Sequence, residues 1–231
     1  MKVTAIIAAA GIGKRFGSNI PKQFVELGGK PILFWSIKAI ASCPLIEDIV
    51  IAAPPQNISE VEDIAKPFLD ILPIKVVEGG ALRQDSVELA VNACRDDTKW
   101  LATHDAARPF VTSTEIEAVC LMAREIGAAI LALPIHDTVK EVDENGLIIK
   151  TLERSRLFRA QTPQVCKKED LLNALSYVKE TGVEVTDEAS MLEAIGIPVG
   201  IVQGSRKNFK ITTKDDLLFA KAIIASEKQD P

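Results

Sequence analysis

The chain has 231 residues, 47% hydrophobic and 26% charged, with a formal net charge of −5. A chain of that length buries roughly 70% of its unfolded surface without disulfides or metals, and the composition excludes a disordered, collagen-like or coiled-coil protein. The acidic balance argues against a nucleic-acid partner, and no uncharged apolar run approaches the roughly 18 residues of a membrane span.

In chain order, apolar runs at 3–10, 48–54, 74–78, 100–104, 128–134 and 200–203 are near-continuous in Val, Ile, Leu and Ala. That is the pattern of strands covered on both faces. Amphipathic stretches at 32–42, 59–69, 85–95, 115–126, 168–179, 187–194 and 214–226 are the intervening helices. Thr112 before Glu115, and Thr213 before Asp216, supply capping-box starts for two of them. The alternation predicts an α/β fold around a mainly parallel sheet with helices on both faces. The run at 3–10 passes directly into glycines and basic residues with no cleavage pattern, which predicts a first strand and a cytoplasmic protein.

The rhythm breaks at about 137–157, where Asn145-Gly146 lies between two alternating segments. Asn-Gly predicts a type I′ hairpin, whose two central residues both take positive φ. A lone hairpin is marginal in water, so this β-arm is expected to pack on its own sheet or on a second subunit. With no internal repeat or Pro/Ser-rich linker, one domain spanning 1–231 with an inserted arm is expected. Cys43, Cys94, Cys120 and Cys166 form no CxxC pair, and His104 and His136 are the only histidines. A Cys/His zinc site has little material, and buried free thiols in a reducing compartment are the expectation.

The first strand is followed by Gly11-Ile12-Gly13-Lys14-Arg15-Phe16-Gly17 and then by Pro21-Lys22-Gln23. Glycines after a strand allow backbone N–H groups to ring a phosphate chain, although a tight turn needs glycine as well. The spacing is GxGxxxG, no acid closes the second strand and no GK[ST] follows, which excludes a dinucleotide fingerprint and a Walker loop. Arg15 and Lys22 flanking the loop favour a polyphosphate site. Gly79-Gly80-Ala81-Leu82-Arg83-Gln84-Asp85-Ser86 follows the third strand and His104-Asp105-Ala106-Ala107-Arg108 closes the fourth. Ligands of open α/β sheets bind outside the carboxyl ends of the strands, so the three loops should meet at one crevice. Taken singly, Arg83 and Arg108 fit solvated surface arginines, and Asp105 with Arg108 fits a structural ion pair. Asp85, three before Glu88, fits a helix N-terminus.

In this order and spacing, AAAGIGKRFG with PKQF, GGxxR-x-DS, HDAARP, DTVK, AQTPQ, TDEAS and NFKIT resemble the 2-C-methyl-D-erythritol 4-phosphate cytidylyltransferase family over 3–224. The resemblance implies a Rossmann-like nucleotidyltransferase sheet and transfer of CMP from CTP to methylerythritol 4-phosphate, releasing pyrophosphate, with Mg²⁺. It implies that Ala10, Gly11 and Gly13 cradle the nucleotide, and that Arg15 and Lys22 stabilise the transition state at the α-phosphate. It places Lys210 on the reacting phosphates from the far side. Gly80, Arg83 and Ser86 would read cytosine and ribose, and Asp105 and Arg108 would line the substrate crevice. Thr138 and Arg154, on the arm, would reach across a homodimer to the partner's site, with Thr162 and Thr186 near the active site. Asp105 is the candidate protein ligand for a metal held mostly by phosphates.

Family members often carry an acid where Ala81 and Leu82 stand, so base recognition is expected to rest on backbone groups. Val165-Cys166 replaces the usual aromatic after TPQ. A phosphate monoester is already an anion and attacks phosphorus without a general base, which fits the lack of a Ser/His/Asp arrangement. A ribitol-5-phosphate cytidylyltransferase shares the glycine loop, PKQF and TPQ, but tends to have two glycines at Ala10-Gly11 and to lack TDEAS. A non-catalytic nucleotide-binding module would dispense with Arg15, Lys22 or Lys210, and a nicotinamide dehydrogenase needs the missing acid.

Overall fold

The computed structural model describes residues 1–11, 16 and 20–227. β1 (Val3–Ala8) is followed by the short antiparallel pair β2 (Glu26–Leu27) and β3 (Lys30–Pro31). Then come α1 (Ile32–Ala41), β4 (Ile46–Ala53), α2 (Ile58–Ala65), β5 (Ile74–Glu78), α3 (Arg83–Ala93), β6 (Trp100–Asp105) and α4 (Ser113–Ile126). β7 (Ala128–Pro134) leads into an arm of β8 (Lys140–Val142) and β9 (Ile148–Thr151), then β10 (Phe158–Lys167). α5 (Lys168–Thr181), α6 (Glu188–Ala194), β11 (Gly200–Gln203) and α7 (Lys214–Glu227) complete the chain.

Seven strands form one sheet in the order β11-β7-β10-β6-β1-β4-β5. All pair in parallel except β10, which runs antiparallel to β6 and β7. Strand alternation divides the core into two layers. Val3, Ala5 and Ile7 of β1 join the layer that includes Leu33 and Ile37 of α1, Val61 of α2 and Ile116 and Val119 of α4. Ile6 turns to the opposite layer, with Val87 and Val91 of α3, Leu171 and Leu175 of α5 and Met191 of α6. A third cluster joins Phe16, Leu27, Ile32, Ile211, Ala220 and Ile224, and holds together the segments carrying Lys22 and Lys210. No helix among the described residues is long and apolar enough to cross a membrane.

Several boundaries differ from those read in the sequence. β10 is not among the expected strands because its sequence is no continuous apolar run, and Pro163 within it cannot donate to a ladder. The structure accommodates it at an irregularity, where pairing with β7 passes from Ala160 to Gln164. Pro67 likewise divides the expected helix at 59–69, leaving α2 and a 3₁₀ turn at Lys66–Phe68. α3 begins at Arg83, so Asp85 is in its third position, where its carboxylate accepts from Leu82 N (3.0 Å); the start expected at Asp85 is corrected. The caps at Thr112 and Thr213 form as expected.

The arm's turn is also of a different kind. Among the described residues only glycines take positive φ, so Asn145 does not, which excludes type I′. Asp143 O accepts from Gly146 N (3.1 Å) and Asp143 N donates to Leu147 O (3.0 Å), closing a three-residue loop with Gly146 at φ +81. The Asp143 carboxylate accepts from Asn145 N (3.0 Å) and Leu147 N (2.8 Å). An Asp one position before the expected turn thus supplies the acceptors that set the longer loop. Leu147, Ile148 and Ile149 are more than half exposed on this arm.

Candidate active site

β1, β4, β5 and β6 are parallel and end side by side, and a cleft of about 550 Å³ opens at their carboxyl ends. Ala10, Gly11, Lys22, Gly80, Arg83, Ser86, Asp105 and Lys210 all line it, so the three loops and the late NFK segment converge as expected. Gly13 and Arg15 lie outside the described residues. A Cβ at Gly79 would collide with Ala10 of the first loop, and one at Gly80 with Asp85 in the first turn of α3, so the approach of two loops requires the first glycine and the fold of the loop onto its own helix requires the second. A Cβ at Gly11 would meet nothing, which leaves its backbone bare toward the cleft. The Ser86 hydroxyl accepts from Gly80 N (3.1 Å) and donates to Leu82 O (3.0 Å), folding the loop back on α3.

Asp105 is the electrostatic centre of the floor. Its Oδ1 faces Arg83 Nε at 3.3 Å, and its Oδ2 faces Lys210 Nζ at 2.9 Å and Arg108 Nε at 3.4 Å. Burial alone favours the neutral acid, but Arg83, Lys210 and Arg108 outweigh it and hold the carboxyl far below the usual carboxylate range. Arg83 also pairs with the buried Glu188, at 2.6 and 3.0 Å. Burial works against its charge too, and Glu188 and Asp105 together raise it above the ordinary guanidinium value. Lys22 donates to Ile211 O (3.1 Å), beside the segment that carries Lys210.

The remaining expected residues do not line this cleft. Arg108 does not line the cleft: its side chain, 12% exposed, pairs with Asp105 and donates to Asn208 O (2.8 Å), so here it is the structural ion pair. Thr162 lies beneath the floor, and Thr186 is exposed, its N–H donating to Ser190 Oγ (3.1 Å). Thr138 and Arg154 are exposed on or beside the arm, away from this chain's own cleft. Arg154 sits in a 3₁₀ turn, Arg154–Arg156, and donates to His136 O (2.8 Å). Glu188 and Gln23 were not singled out from sequence. Gln23 is buried and donates to Ala9 O (2.6 Å), fixing the end of β1. Glu188 meets Arg83 across 105 positions, a separation that carries no local signal.

Among the described residues no group of three or more His, Cys, Asp or Glu side chains could hold a metal ion, and Asp105 is the one carboxylate lining the cleft. A carboxylate offers about four acceptor positions, and three donors leave one. That fits a divalent ion bound by one protein carboxylate and by substrate phosphates.

The crystal structure titled 4-diphosphocytidyl-2C-methyl-D-erythritol synthase from Anaerococcus prevotii superposes with a TM-score of 0.86, covering 97% of this chain and 98% of that one at 26% identity. Sheet, cleft and this likeness define an α/β nucleotidyltransferase. The family model described as 2-C-methyl-D-erythritol 4-phosphate cytidylyltransferase matches residues 3–226. The enzyme of that name from Desulforamulus reducens is 40% identical over 96% of this chain and 95% of its own length. That of Francisella tularensis is 35% identical, with a TM-score of 0.78 over 96% and 99% of the two chains. The chain belongs to the 2-C-methyl-D-erythritol 4-phosphate cytidylyltransferase family.

His104 supports the floor from below. Its Nε2 lies 3.0 Å from Arg108 O, which can only accept, so Nε2 carries the proton and Nδ1 accepts from the Thr162 hydroxyl at 2.9 Å. The same hydroxyl accepts from Asp105 N at 3.1 Å. Burial lowers the imidazole from its ordinary 6.5 to about 4. The unfolded chain therefore binds the proton first, and stability present above pH 6.5 is lost as pH falls toward 4. Between pH 7.5 and 5 this contributes about 2 kcal/mol. Urea titrations should show that loss in the parent and a markedly smaller one in His104→Gln; equal losses would remove His104 as the cause.

Proposed function

We propose that this chain transfers CMP from CTP to 2-C-methyl-D-erythritol 4-phosphate, releasing pyrophosphate and forming 4-diphosphocytidyl-2-C-methyl-D-erythritol. It does so as one nucleotidyltransferase domain. The observation that carries the reading is the cleft where Lys22, Arg83 and Lys210 surround a single carboxylate, in a chain matched to this family over 3–226. A ribitol 5-phosphate acceptor is not favoured by that match.

A phosphate oxygen of methylerythritol phosphate attacks the α-phosphorus of CTP. The bond from that phosphorus to the bridging oxygen breaks, and pyrophosphate leaves with the electron pair. No proton is removed from the nucleophile, so positioning and charge stabilisation supply the catalysis. Lys22 and Arg15 meet charge growing at the α-phosphate, and Lys210 holds the reacting phosphates. The bare backbone of Ala10 and Gly11, with Gly13, receives the triphosphate, while Gly80 and Ser86 place the cytosine and ribose. Mg²⁺, held by phosphate oxygens and by Asp105, would supply further neutralisation of the triphosphate when bound.

The arm is assigned to a homodimer, in which its exposed Leu147, Ile148 and Ile149 lose water and Thr138 and Arg154 serve the partner's cleft. The four cysteines are buried free thiols, which supports a reducing, cytoplasmic setting.

Pyrophosphate release measured for each nucleoside triphosphate against methylerythritol and ribitol phosphates tests the reaction. CTP with methylerythritol phosphate should give the highest kcat/KM, and equal or greater efficiency with UTP or with ribitol phosphate would overturn the assignment. The shared site is tested by mixing an Arg154→Ala chain with a Lys22→Ala chain, each nearly inactive alone. Heterodimers should regain one intact site of two. No recovery despite demonstrated subunit exchange, or a monomer in solution, would refute the arm's role.

A further inference from the structure

Glu188 is fully buried at the first position of α6, within the TDEAS segment, and does not line the cleft. Its two oxygens accept from Arg83 Nη1 (2.6 Å) and Nη2 (3.0 Å), a bidentate pair. The segment bearing Glu188 is itself fixed to β10. Gln164 Nε2 donates to the Asp187 carboxylate (2.9 Å), and Gln164 Oε1 accepts from Ala189 N (2.9 Å). Asp187 also caps α6 by accepting from Ser190 N (2.9 Å). These bonds brace the chain on both sides of Glu188 against the central sheet.

The guanidinium is planar, so pinning both Nη groups determines where Nε points. It points at Asp105 Oδ1 (3.3 Å). Arg83 therefore reaches one oxygen of Asp105, and Oδ2 is left to Lys210 and Arg108. Glu188 also shares the positive charge of Arg83, which would otherwise fall on Asp105 alone and weaken its hold on Lys210.

We infer that Glu188 is a positioning residue for the transfer reaction: through Arg83 it fixes Asp105, and through Asp105 it fixes the Lys210 ammonium where the reacting phosphates arrive. This rests on the reading of the cleft as a CTP-dependent transfer site. A residue that only stabilises the fold would change the amount of folded enzyme and leave the kinetics of the folded fraction intact. A positioning residue changes kcat. Because loss of the Glu188 charge makes the cleft more positive, KM for the anionic CTP should stay level or fall while kcat drops.

Glu188→Gln keeps the side chain's shape and removes the charge. Misplacement of a reacting group by about 1 Å can cost 100-fold, so kcat per folded enzyme should fall about 10- to 100-fold, with KM for CTP no higher than the parent's. Glu188→Asp keeps the charge but shortens the reach, and should show the same split to a smaller degree. It carries the test if the glutamine variant does not fold. A kcat within twofold of the parent, or a loss expressed as raised KM, would overturn the inference. The parent, assayed alongside with CTP and methylerythritol phosphate, separates the two ideas. An inactive parent refutes the functional reading and with it the role of Glu188, whereas an active parent with unaffected variants refutes that role alone.

Discussion

A buried carboxylate cannot remain charged without partners, and Asp105 obtains its partners from three separate segments of the chain. Arg83 comes from the start of α3, Arg108 from the loop after β6, and Lys210 from the segment before α7. Removing one side of a buried ion pair typically costs about 3–5 kcal/mol, because the other charge is left stranded. The same bonds that stabilise Asp105 therefore tie together the ends of the segments around the cleft. Lys22, Arg83 and Lys210 line the cleft with Asp105 as its one carboxylate, a balance that suits a polyphosphate. Tertiary tie and substrate electrostatics are one arrangement.

The rest of the fold serves this arrangement. Parallel strands bring their carboxyl ends to one edge, and the tight approach of Gly79 to Ala10 brings two loops against each other. Thr162 and His104 hold the backbone of Asp105 from below. The apolar cluster of Phe16, Leu27, Ile211 and Ile224 anchors the segments from which Lys22 and Lys210 project. A chemistry that depends on placed charges, with no proton to abstract from the nucleophile, needs this rigidity more than it needs any single reactive side chain.

What the sequence made legible follows from how local each signal is. Fully apolar runs between amphipathic ones identified six of the seven strands of the main sheet, and capping pairs at Thr112 and Thr213 placed helix starts. The missing strand, β10, carries Pro163, which forbids the regular ladder that a strand pattern presumes. The turn at Asn145-Gly146 was misjudged in type because Asp143, outside the dipeptide, decides the loop by accepting from two N–H groups. In the site, glycines and cations next to strand ends were readable, since their position on a strand's carboxyl end is itself a sequence property. The bond of Arg108 to Asn208 O and the partnership of Arg83 with Glu188 were not, because both are decided by segments about 100 positions away.

The central claim is that fixed cations, with no general base, carry the reaction. The most direct measurement is the turnover of Lys210→Ala with saturating CTP and methylerythritol phosphate, alongside its unfolding midpoint. The account predicts a kcat about 100- to 1000-fold below the parent, the typical cost of one transition-state donor, in a protein that still folds cooperatively. A folded variant with kcat within a few-fold of the parent would contradict it.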